Sequence, residues 1–159
     1  MAASSPPGYA AALVDRMEAA ALRLMGILLA LGLAAPALAG DAAELAGSWT
    51  ALRAERDGVT APELIGHRLV FTGDRFAISG PDGQPLYAGT YSVDDLTQPG
   101  SIDFLHDGGT AAGQTWEGLY QLDGGELTIV DDAADPAQGR PTDFTTAKGS
   151  GRVLLVFAR

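Results

Sequence analysis

The chain has 159 residues and a formal charge of -10, with 10 Lys and Arg against 20 Asp and Glu, and it contains no cysteine. One domain fits that length once a leader is set aside. The acidic balance repels phosphate backbones and anionic headgroups, which argues against nucleic-acid binding, and the missing cysteines remove disulfides, thiolate nucleophiles and zinc-thiolate sites.

Residues 17–39 read as a secretory signal. Arg23 supplies positive charge, Leu24 to Leu33 is an apolar run of suitable length, and Ala37-Leu38-Ala39 is a small-x-small site, so cleavage is expected between Ala39 and Gly40. The run is shorter than the roughly 20 residues a membrane span needs, and Pro36, Asp41 and Glu44 follow it, so no stable span is expected after cleavage. Met17 is a tidier start than Met1, because residues 1–16 make an atypically long front. The expectation is a signal helix within 1–39, a mature domain over 40–159, and a secreted or periplasmic location.

From Leu45 onward the apolar period is close to two, with Gly, Asp and Pro as punctuation, the pattern of an antiparallel all-β domain. Strands are predicted over 47–56, 67–72, 75–79, 86–93, 101–106, 114–122, 126–131 and 152–158, with a helical turn near Ala61-Pro62-Glu63-Leu64-Ile65. Asp123-Gly124-Gly125 is the strongest hairpin signal, and 132–150 is the largest irregular segment. About eight strands in consecutive hairpins predict a small up-and-down β-barrel in which the last strand pairs with the first, because closure removes two exposed edges; a two-sheet sandwich is the alternative.

Several motifs then converge: Leu45-x-Gly47-x-Trp49, Asp57-Gly58 before Ala61-Pro62-Glu63, Leu69-Val70-Phe71-x-Gly73-Asp74-x-Phe76, Gly89-Thr90-Tyr91, Gly118-x-Tyr120-x-Leu122-Asp123-Gly124, and Arg140-Pro141-Thr142-x-Phe144 leading to Gly149-Ser150-Gly151-x-Val153-Leu154-Leu155-Val156. Together they resemble an uncharacterised lipocalin-like domain family abundant in planctomycete bacteria, and the similarity covers nearly all of 45–159. The resemblance implies an exported lipocalin-like barrel without established activity, ligand or catalytic residues. It also implies structural roles for Gly47, Trp49 and Arg159, with the arginine stacked on the tryptophan at the closed end.

Candidate chemistry is sparse. Alternation puts Ile102, Phe104 and His106 on one strand face, so His106 points inward if the aromatic face does; the competing reading is a strand-end histidine reaching solvent or a carbonyl. Asp94-Asp95, Asp131-Asp132 and Asp135 lack the spacing of a calcium loop and read as solvated loop charge. Glu117 and Asp103 face each other if their strands pair, and no Gly-x-Ser-x-Gly elbow or phosphate loop occurs. The leading expectation is a non-enzymatic domain without cofactor or metal, binding a small apolar or amphipathic ligand through Tyr91, Phe104, His106, Trp116 and Tyr120. The alternative is a module that binds a protein partner or inhibits one through loops 107–113 and 132–150, the partner being unknown.

Overall fold

Residues 40–159 are described by a computed structural model, in which the alternation along each strand becomes an inside and an outside. A helical turn, α1 (Asp41–Leu45), leads into β1 (Gly47–Arg56), β2 (Val59–Thr60), β3 (Arg68–Thr72), β4 (Arg75–Ser79), β5 (Pro85–Asp94), β6 (Gly100–His106), β7 (Thr115–Asp123), β8 (Glu126–Asp131) and β9 (Val153–Ala158). Single 3-10 turns occupy Pro62–Leu64, Gly109–Ala111 and Pro136–Gln138. The expected signal helix, its cleavage site and the alternative start at Met17 lie outside the described residues.

Each strand from β3 to β9 pairs antiparallel with the next, β1 pairs with β3, and β9 returns to β1 from Thr50 opposite Ala158 to Arg56 opposite Val153. β2 pairs with β1 alone, across a turn in which Asp57 and Gly58 both have positive φ, 51° and 78°. Such a two-residue turn follows the right-handed twist of the strands. The remaining eight strands close into an antiparallel barrel. Closure decides the question that strand count left open between barrel and sandwich.

Two irregularities shape one end of this barrel. The β1–β9 register shifts between Ala51 and Arg53, so Leu52 is an extra residue, 57% exposed. Beyond it the inward phase changes: Trp49 and Ala51 are buried, then Ala54 is buried while Arg53 is exposed, and Arg56 reaches the barrel mouth. The β4–β5 register shifts between Ile78 and Ser79, which lets the consecutive residues Leu86 and Tyr87 both face the mouth. Gly89 brings β5 close to β6, since a Cβ there would lie 1.9 Å from the Leu105 carbonyl oxygen.

The other end is filled. Phe71 lies 4.5 Å from Tyr91 between ring centroids, and Phe76 lies 4.9 Å from Phe104 in an edge-on arrangement. α1 closes this end with the fully buried Leu45, whose carbonyl accepts the Trp49 indole N–H at 2.7 Å, and Tyr120 donates to Asp41 Oδ2 at 2.7 Å. The Arg159 guanidinium carbon lies 4.5 Å from the Trp49 ring centroid, while Nη2 donates to the carbonyls of Glu44 and Ala46. A cation held over indole contributes about 0.5–2 kcal/mol.

Outside the barrel, Leu119, Val130, Leu154 and Val156 form a second apolar cluster. The segment 132–152 covers it as a strap. Phe144 packs on the cluster, Thr146 donates to Glu55 at 3.1 Å, and the Gly151 N–H reaches Asp57 Oδ1 at 2.7 Å.

Candidate functional site

The end opposite Trp49 and Arg159 holds a cavity of about 420 Å³. Its walls come from segments that converge there: Arg56 ends β1, His67 immediately precedes β3 and Leu69 lies near its start, Ile78 lies near the end of β4, Leu86 and Tyr87 near the start of β5, Trp116 near the start of β7, Asp131 ends β8, and Val153, Leu155 and Phe157 lie along β9. Leu64, Ala133 and Ala134 complete the rim from the connecting segments. Most of this lining is apolar. Five lining residues carry polar groups: Arg56, His67 and Asp131, and the ring tips of Tyr87 and Trp116.

Arg56 is paired outside the apolar wall, with Nη1 3.1 Å from Glu63 Oε1. His67 donates from Nδ1 to the Leu64 carbonyl at 2.9 Å. Asp131 is 4% exposed, and its Oδ1 accepts the Ala133 N–H at 3.1 Å. Burial is the main cause that pushes its pKa up to about 7; the Ala133 hydrogen bond opposes the shift and the charge of Asp132 adds to it. Asp132 is 1% exposed, accepts the Glu117 N–H through Oδ1 at 2.8 Å, and keeps Oδ2 without a partner. The expectation of solvated charge at Asp131-Asp132 is therefore corrected. Asp131 is the last residue of a strand whose inward positions are Leu127 and Ile129, and continuing that alternation by one step would have placed it inside.

Among the residues singled out on the sequence, Trp116 lies in the cavity wall. Tyr91, Phe104 and Tyr120 belong to the packed interior and are not part of the lining. His106 also points inward and is 1% exposed, enclosed by Phe76, Tyr87 and Trp116, with the Trp116 ring centroid 4.0 Å away. Its Nδ1 donates to the Gln114 carbonyl at 3.3 Å and its Nε2 has no partner; burial pushes its pKa down, so the ring is neutral at physiological pH. The Trp116 indole nitrogen is likewise buried without a partner.

Asp103 and Glu117 stand opposite each other across β6 and β7, on the outer wall. Arg140 from the strap sits between them, with Nη2 2.6 Å from Asp103 Oδ1 and 3.8 Å from Glu117 Oε1, and Nη1 donates to the Gly118 carbonyl at 2.7 Å. A single guanidinium there bridges the two acids and balances one of their two negative charges. Strand alternation brought the two acids into register, whereas nothing local in the sequence marks Arg140 as their partner.

A second hollow, of about 440 Å³, opens at the closed end around Glu44, Gly124, Gly125 and Arg159. It is a surface cleft with little apolar wall. Among the described residues no three His, Cys, Asp or Glu side chains are grouped to hold a metal ion, and no helix is long and apolar enough to cross a membrane. Comparison with protein-family models, with curated proteins and with solved structures finds no match to this chain.

Proposed function

We propose that residues 40–159 form a non-enzymatic, lipocalin-like binding module of an exported protein, which takes a small apolar or amphipathic molecule into the barrel mouth. The observation that carries this reading is the cavity of about 420 Å³ with its mostly apolar wall. Sites for small molecules typically span about 300–1,000 Å³, with apolar walls and a few placed polar groups. Eight strands enclose space for packed side chains or for one small ligand, and this barrel has both, in different halves.

Binding is tested by titrating the protein with a neutral hydrophobic fluorophore, N-phenyl-1-naphthylamine, and reading its emission together with that of Trp116 in a Trp49→Phe background. Saturable uptake is expected. Ile78→Trp, which places an indole in the cavity, is expected to abolish uptake while the far-ultraviolet circular dichroism stays that of the parent. Uptake that survives this filling, or a parent protein that takes up no probe, overturns the reading. Export rests on residues 17–39, and a reporter fusion begun at Met17 tests it directly.

A further inference from the structure

The cavity joins an apolar wall to one buried acid, and that combination narrows its ligand. Asp131 faces the same space as Trp116, Leu155 and Phe157, and among the described residues it has no ion-pair partner. Among the described residues only the Ala133 N–H donates to it, at Oδ1. An ionised carboxylate accepts about four hydrogen bonds and is costly to bury without a cation.

The groups around Asp131 do not supply that cation. Its register partners are Gly118 on β7 and Val153 on β9, neither of them charged. Asp132 follows it in the chain and adds a second negative group. Arg56 and His67 line the same cavity, but Arg56 is held by Glu63 and His67 donates to a backbone carbonyl. The net charge of -10 draws cations toward the protein and turns anions away.

We propose that the barrel mouth takes a cationic amphiphile, an alkyl or aryl amine whose apolar body lies against Ile78, Leu155 and Phe157 and whose ammonium group donates to the carboxylate of Asp131. This deepens the reading of the cavity as a ligand site and rests on it. A carboxylate head would instead meet a like charge, and a neutral alcohol would gain no ionic attraction.

The test displaces N-phenyl-1-naphthylamine with three ligands of one chain length: dodecylamine, dodecanol and dodecanoate. At about pH 8 the amine is expected to displace the probe at about tenfold or more lower concentration than either of the others, the difference a charge-assisted hydrogen bond makes. The preference should shrink near pH 5.5, where Asp131 carries its proton. Asp131→Asn should lose the amine's preference over dodecanol, whatever its affinity for the probe, whereas Asp103→Asn, which removes an acid of the outer wall, should keep it. An amine no better than the alcohol, a stronger dodecanoate, or a preference that survives in Asp131→Asn overturns the proposal. Probe uptake without amine preference removes the cationic head group alone, while failure of both probe and amine removes the ligand site as well. Should Asp131→Asn not fold, the pH series on the parent protein still decides: a preference that stays level from pH 5.5 to pH 8 overturns the proposal.

Discussion

The two halves of the barrel draw on the same strands and enclose opposite things. At the closed end, Trp49, Phe71, Tyr91, Phe104 and Tyr120 fill the interior under α1, and two polar groups there have partners: the Trp49 indole on Leu45 and the Tyr120 hydroxyl on Asp41. At the open end, the bulges at Leu52 and Leu86 rephase the walls, the lining side chains stop short of one another, and a carboxylate stays buried without a cation. The difference teaches that the packed interior and the cavity are separated along the barrel axis. The filled half supplies stability, and the hollow half tolerates a group that opposes it.

The largest effect that tests this contrast is a pair of truncations. Trp49→Ala is expected to cost about 3–5 kcal/mol, because it empties a packed site, while Ile78→Ala should cost less than about 2 kcal/mol, because it only widens an existing hollow. Urea unfolding of both variants measures this, and equal losses would erase the distinction between the ends.

Asp131 gives the next largest. Its folded pKa, about 7, lies above its unfolded value of 3.8. The native state therefore holds the proton that the unfolded state releases, and stability contributed by the protonated acid is full below pH 3.8, falls as pH rises, and is gone above about pH 7. Asp131→Asn should accordingly stabilise the protein at pH 8 by an amount on the order of a few kcal/mol, with the gain fading toward pH 4. A variant less stable than its parent at pH 8 would mean that the carboxylate supports the hollow end.

The strap comes third. Arg140→Ala leaves Asp103 and Glu117 opposed without a cation and frees the Gly118 carbonyl, for an expected loss of about 1–3 kcal/mol and faster amide exchange across 132–150. Unchanged exchange would place the hold on the strap with Phe144 instead. The smallest effect belongs to Arg159→Met, about 0.5–2 kcal/mol, since the cation over Trp49 is lost while Leu45 and the indole hydrogen bond remain.

Much of the barrel was legible. The predicted strands match the observed ones to within one residue at either end, because a wall with one wet and one dry face imposes a period of two that needs no tertiary knowledge to see. What escaped were short elements without a period of their own: α1, the two-residue β2, and the turns at Gly109–Ala111 and Pro136–Gln138. The site was legible in part. Alternation names the face on which His106, Phe104 and Tyr120 lie, but it carries no information about height along the barrel axis, and height separates the packed rings from Trp116 in the cavity wall. The strap was visible only as a stretch lacking periodicity.

The local pattern of apolar, polar and turn residues thus determined strand positions and the antiparallel order, while the β1–β9 pairing in the structure chose the closed barrel over the sandwich. Only the tertiary structure decided that Arg56 reaches the mouth, because a bulge at Leu52 reverses the phase of β1. It alone decided that Arg140 bridges Asp103 and Glu117 from 37 and 23 residues away, and that Asp131 is buried without a cation. These features depend on which segments meet across the barrel, and contacts between distant segments leave no local trace in a sequence.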